Sequence, residues 1–125
     1  LGLNVLNMAI VGGLGGYAVF AGLRRVLPKG RRAVVASSAV AALVSVVLAA
    51  AAFSVEYAIG GVGDVPAGTV FAAMVGVHVL IGIGEAALTA LTVSAVLAVR
   101  ADLVYGARDL LPALPHGGPH PAVGR

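Results

Sequence analysis

The chain has 125 residues, of which 60% are hydrophobic and only 10% are charged. Because a soluble domain carries about 25% charged residues, this composition excludes a water-soluble globular fold and indicates a protein that lies in a lipid bilayer. The absence of cysteine excludes disulfides, thiolate metal sites and thiol nucleophiles. A net charge of +3 that is concentrated in one turn is too small for a nucleic-acid-binding protein.

Three long apolar segments predict three membrane-spanning helices, since a helix needs about 20 apolar residues to cross a bilayer. Residues 1–23 and 33–55 contain no charged side chain, and residues 69–99 contain only Glu85. The predicted fold is therefore all-α, a polytopic membrane helix bundle with about three transmembrane helices.

The predicted helices form one transmembrane domain, residues 1–108. Their expected bounds are about 2–26, 32–59 and 67–100. Residues 109–125 are rich in Pro and Gly, so we expect an unstructured tail in which His116 and His120 are solvent-exposed rather than metal ligands. The apolar run begins at Leu1 without the charged segment of a signal peptide, and we expect the chain to be a piece of a longer membrane protein.

The basic residues predict the orientation in the membrane. Five of the eight Lys and Arg residues lie in the turn at 24–32, and the other three follow the third helix. Cytoplasmic loops carry an excess of Lys and Arg. We therefore expect a multi-pass protein of the cell membrane, with this turn and the C-terminus in the cytoplasm.

Small residues indicate close packing between the helices. Gly12 and Gly16 form a GxxxG pair in the first helix, a pattern that lets two backbones approach closely. The second helix repeats small residues at spacings of 3 and 4, from Ser38 through Ser45 to Ala52, and Glu56 continues the same face. These spacings place the residues on one side of a helix.

Five polar residues within the predicted helices are the candidate site residues. His78, Glu85 and Thr89 lie at i, i+7 and i+11 on one face of the third helix. A charged group at membrane depth costs at least about 2.5–3.5 kcal/mol, so this face is expected to contact protein or water. Asn4 and Asn7 of the first helix are the candidate partners. A polar transport path and a structural hydrogen-bond network are both open interpretations.

The sequence contains no motif that indicates an enzyme. HExxH, GxSxG and a Walker lysine after a glycine loop are all absent, and no Asp or Glu pair has the spacing of a general acid and base. We therefore expect a protein without catalytic activity.

Three stretches of the chain resemble the CbiM/NikM family. They are LNVLNMAIVG at residues 3–12, MVGVHVLIGIGEA at residues 74–86, and VRADL at residues 99–103, in which Ala101 stands where the family has proline. Members of this family are the substrate-capturing membrane components of energy-coupling-factor transporters for cobalt or nickel. The resemblance covers about residues 1–108 and is to the C-terminal half of the longer family members.

The resemblance implies uptake of Co²⁺ or Ni²⁺ by an ATP-driven complex, with a transmembrane coupling subunit and ATPase subunits as partners. Cobalt imported in this way would supply cobalamin synthesis. The family holds its metal mainly through a Met-His N-terminus and a histidine of the N-terminal half, which have no counterpart here. His78 is not one of these ligands, so the resemblance implies no metal site and no bound cofactor in this chain, and it does not choose between cobalt and nickel.

Two other functional classes remain open from the residues themselves. One is a proton or cation carrier that uses His78 and Glu85 directly. The other is a non-transporting membrane scaffold, in which the polar face of the third helix only joins helices.

Overall fold

The computed structural model describes residues 1–111, and it confirms the predicted all-α membrane fold. Three helices are long and apolar enough to cross a bilayer: α1 (Gly2–Val26), α2 (Arg31–Gly60) and α3 (Ala67–Val99). No strand occurs in this described part of the chain. The predicted tail histidines, His116 and His120, lie outside the described residues.

Proline and glycine set the ends of these helices. Leu27, which precedes Pro28, is extended with φ −75° and ψ 146°, because the proline ring disfavours a helical conformation in the residue before it. The backbone becomes helical again at Arg31, after Gly30. Pro66 has no N–H to donate to a helical turn, and it directly precedes the first residue of α3.

Helix α2 lies between its two neighbours and packs against both of them. On one side, a Cβ atom added at Gly16 would lie 3.1 Å from the Cβ of Ser45. On the other side, a Cβ added at Gly82 of α3 would lie 3.2 Å from the carbonyl oxygen of Leu43. A side chain at either glycine would require the neighbouring helix to shift by a few tenths of an ångström, so the small residue favours close approach of the backbones, as in other membrane helix pairs.

The chain that follows α3 folds back beneath the helices as two short 3₁₀ helices, Ala101–Leu103 and Tyr105–Leu110. A small core forms there from the buried residues Val34, Leu97 and Ala107. Arg24 of α1 forms an ion pair of 2.8 Å with Asp109. The Arg24–Asp109 ion pair therefore ties the segment after α3 to the end of α1.

Candidate polar site between the three helices

A cavity of about 150 Å³ lies where the three helices meet, beside the first turns of α1. Its lining residues are Asn4, Asn7 and Met8 from α1, Val46, Ala49, Ala50 and Phe53 from α2, and Met74 and His78 from α3. The structure thus brings three of the five candidate residues, Asn4, Asn7 and His78, to the wall of one cavity.

Asn7 is the most buried polar side chain at this cavity, with 5% of its surface exposed. Its Nδ2 donates a hydrogen bond of 2.9 Å to Oε2 of Glu56 on α2. Because a carboxylate only accepts hydrogen bonds, this contact fixes which end of the amide faces Glu56. The other end, Oδ1, is buried and has no hydrogen-bond partner among residues 1–111.

Glu56 was not among the candidate residues. The sequence places it at the end of the small-residue face of α2, which is the signal that could have identified it as a partner for α1. The sequence offers Asn4 or Asn7 as the partner of His78 and Glu85. In the structure, the Asn7 amide donates its hydrogen bond to Glu56.

A stretch of π-helix within α1, Leu6–Gly12, positions Asn7. The wider turn changes which residues of α1 face α2, and both Asn7 and Gly12 are buried there. The hydroxyl of Ser45 on α2 donates a hydrogen bond of 2.8 Å to the carbonyl oxygen of Gly12. Single π turns inside α-helices often occur at functional sites, and this one ends where α1 touches α2.

One ring nitrogen of His78 has its hydrogen-bond partner within its own helix. Its Nδ1 lies 2.7 Å from the carbonyl oxygen of Met74, one turn earlier. Since a carbonyl oxygen only accepts, Nδ1 is the donor, and Nε2 is the nitrogen left for another partner. The side chain is half-buried and lines the cavity.

Glu85 and Thr89 do not line the cavity. Glu85 is two turns, about 10 Å, further along α3 than His78. It is exposed on the three-helix unit, whereas Thr89 is half-buried. The residues that the structure describes contain no cluster of three His, Cys, Asp or Glu side chains able to hold a metal ion. The polar face of α3 is therefore divided between the cavity and an outer surface.

The Asn7–Glu56 hydrogen bond is expected to stabilise the contact between α1 and α2. Glu56→Leu should lower the free energy of unfolding by about 1–3 kcal/mol, because it leaves both polar ends of a buried amide without a partner. Glu56→Gln is the matched control, since its side-chain oxygen can still accept from Nδ2. Thermal unfolding in detergent measures the difference.

The double variant Asn7→Leu/Glu56→Leu completes this test as a mutant cycle. It should recover much of the stability lost in Glu56→Leu, because no unpartnered amide remains. Additive losses from the two single changes would contradict an interaction between these side chains.

Glu85 is expected to be covered by protein from outside the three-helix unit in the assembled protein, since it lies near the centre of α3 and cannot face lipid without a large cost. Glu85→Leu should therefore lower the midpoint of thermal unfolding of the full-length protein in detergent, although it makes the helix more hydrophobic. Glu85→Gln, which keeps the hydrogen-bonding groups, should be milder. An unchanged or raised midpoint for Glu85→Leu would show that this surface faces lipid.

A comparison with known protein families identifies the chain. Residues 1–103 match the CbiM family, described as the cobalt uptake substrate-specific transmembrane region. No curated protein and no solved structure matches the chain significantly. The family match agrees with the resemblance of the three sequence stretches and with three helices able to cross a membrane. The chain is a multi-pass membrane component of cobalt uptake and belongs to the CbiM family.

Proposed function

We propose that this chain forms part of the substrate-capturing membrane subunit of an energy-coupling-factor transporter that imports Co²⁺, with Ni²⁺ as the alternative cargo. The observation that carries the proposal is the family match over residues 1–103. A transmembrane coupling subunit and ATPase subunits would be its partners, and ATP hydrolysis by those subunits would drive transport. The complete subunit would bind and release metal without catalysing a reaction, and the imported cobalt would supply cobalamin synthesis.

Metal accumulation by cells tests this proposal. Cells that express the full-length protein with its coupling and ATPase subunits should accumulate Co²⁺ above the level of cells that lack the full-length protein. Inactivating the ATPase subunits should abolish the difference. Accumulation that does not depend on the ATPase subunits would instead favour a carrier.

The lining of the cavity supports the interpretation that it is a polar part of the subunit's interior and not the principal metal site. Imidazole nitrogen suits Co²⁺ and Ni²⁺, but His78 is the one imidazole at the cavity wall, with amide and thioether groups around it. The resemblance implies that the main ligands belong to an N-terminal half. We propose that α1, α2 and α3 form the framework against which that half packs.

The two alternatives fit the site less well. A carrier that uses His78 and Glu85 together needs both groups on one path, and only His78 lines the cavity. A scaffold without transport is consistent with the Asn7–Glu56 contact, which joins helices. It does not explain membership of a cobalt uptake family.

The 125-residue chain alone is expected to bind Co²⁺ and Ni²⁺ weakly, because residues 1–111 offer one imidazole, that of His78, and no cluster of ionisable ligands. Isothermal titration calorimetry of the purified chain in detergent measures this. The matched variant is His78→Ala, which should change the weak signal little. Tight, stoichiometric binding that disappears in His78→Ala would move the metal site onto α3.

We also propose that the turn between α1 and α2 and the end of α3 are cytoplasmic. The support is the concentration of Lys and Arg in this turn, which the positive-inside rule assigns to the cytoplasm. The loop between α2 and α3, which contains Asp64 but no basic residue, would then be outside.

Cysteine labelling tests this orientation without background, because the chain has no cysteine. A membrane-impermeant maleimide added to intact cells should label a cysteine in place of Asp64 and should not label one in place of Lys29. Both sites are exposed, so each should react once the membrane is permeabilised. The reverse pattern in intact cells would overturn the orientation.

A further inference from the structure

The basic turn at residues 24–32, which includes the end of α1 and the start of α2, carries positive charges that are not neutralised within the described chain. Its basic residues are Arg24, Arg25, Lys29, Arg31 and Arg32. Arg24 is paired with Asp109, and Asp102, which follows α3, is paired with Arg100 at 2.7 Å. The hydrogen bond from Arg100 holds the pKa of the Asp102 carboxyl below its ordinary value. The charge of Asp102 is therefore paired with Arg100 rather than with a basic residue of the turn. Within residues 1–111, the other four basic side chains of the turn form no ion pair.

These charges stand beside an apolar groove. One open depression of about 480 Å³ lies over the turn and is lined from Leu27 to Ala33. A second, of about 440 Å³, lies between α2 and α3 and is lined by apolar side chains that include Val35, Ala39 and Ala90. The two depressions share Arg31, Arg32 and Ala36. The surface therefore has a basic entrance that adjoins an open groove lined mainly by alanine and valine, with Arg31, Arg32 and Ser94 also in its wall.

Arg31 is fixed at the boundary between the two depressions. Its Nη2 donates a hydrogen bond of 2.6 Å to the carbonyl oxygen of Ser94 on α3. A guanidinium group has five N–H donors, so this one bond leaves donors free and leaves the positive charge intact. The contact holds the charge of Arg31 over the groove between α2 and α3.

We infer that this surface binds one anionic phospholipid, with its phosphate against Arg31 and Arg32 and one acyl chain in the groove beside Val35, Ala39 and Ala90. Charge-assisted hydrogen bonds from arginine to phosphate are strong and directional. The basic entrance is at the first turn of α2, where a membrane helix meets the headgroup region, and basic pockets between membrane helices are known to bind lipid headgroups. The groove runs from there along α2, as an acyl chain does.

The charge of the headgroup is the first property to test. The full chain is purified in detergent, and lipid retention is measured by native mass spectrometry with phosphatidylglycerol or phosphatidylcholine of identical acyl chains. Phosphatidylglycerol should be retained preferentially. Arg31→Gln should weaken this binding roughly fivefold, the effect of one basic residue near an anionic surface. Arg25→Gln is the matched control, because it removes the same charge from the same turn but lines neither depression.

The acyl groove is tested with the charges kept in place. Ala36→Phe places an aromatic ring in the region that both depressions share, so it should reduce phosphatidylglycerol retention while circular dichroism still shows a helical protein. Soluble glycerol phosphate should not displace the lipid, because it has no acyl chain for the groove.

Several results would overturn the inference. Equal retention of the two lipids, or equal losses in Arg25→Gln and Arg31→Gln, would show non-specific attraction. Displacement by glycerol phosphate with normal binding in Ala36→Phe would show a site for a free anion. If Arg31→Gln leaves phosphatidylglycerol retention unchanged, the phosphate is not held by Arg31 and the proposed site is wrong.

Discussion

The contact between Gly12 of α1 and Ser45 of α2 determines how the polar groups at the cavity are arranged. In hydrocarbon, the polar groups of the backbone and of serine must find their hydrogen-bond partners within the protein. The Ser45 hydroxyl donates to the Gly12 oxygen at 2.8 Å. The approach is close enough that a Cβ at Gly12 would lie 3.1 Å from this hydroxyl. With the end of the π segment held there, Asn7 at its start faces α2 and reaches Glu56.

The two glutamates within the helices, Glu56 and Glu85, have different surroundings and lie at different depths in the membrane. Glu56 lies in the last turn but one of α2, which ends at Gly60, so it is near the headgroups and needs only the partner that Asn7 provides. Glu85 lies near the middle of α3, where the cost of a charge is greatest. It is nevertheless exposed on the three-helix unit. The surface around Glu85 is therefore the part of this unit that most requires a protein neighbour.

The fold was predictable from the sequence because the bilayer allows few alternatives, and residues 69–99 could hardly form anything but a spanning helix. The close contacts of Gly12 and Gly16 were likewise indicated by their spacing. The pairing of Asn7 with Glu56 could not be predicted in this way. It depends on how α1 is rotated about its axis, and the π segment changes this rotation. A π segment has no recognisable pattern in the hydropathy of the sequence. The exposure of Glu85 also could not be predicted from periodicity. Periodicity shows which residues lie on the same side of a helix, but it does not show which neighbour packs against that side.

The two glycine contacts on α2 show how the three helices are placed around Glu85, which they leave exposed. Leu43 meets Gly82 of α3, and Ser45 meets Gly16 of α1. Residues two positions apart are about 200° apart around a helix, so α1 and α3 approach opposite sides of α2 at the same depth. Neither contact covers Glu85, which is exposed on the three-helix unit. Lipid can cover apolar side chains on this surface, but the carboxylate of Glu85 needs protein or water beside it.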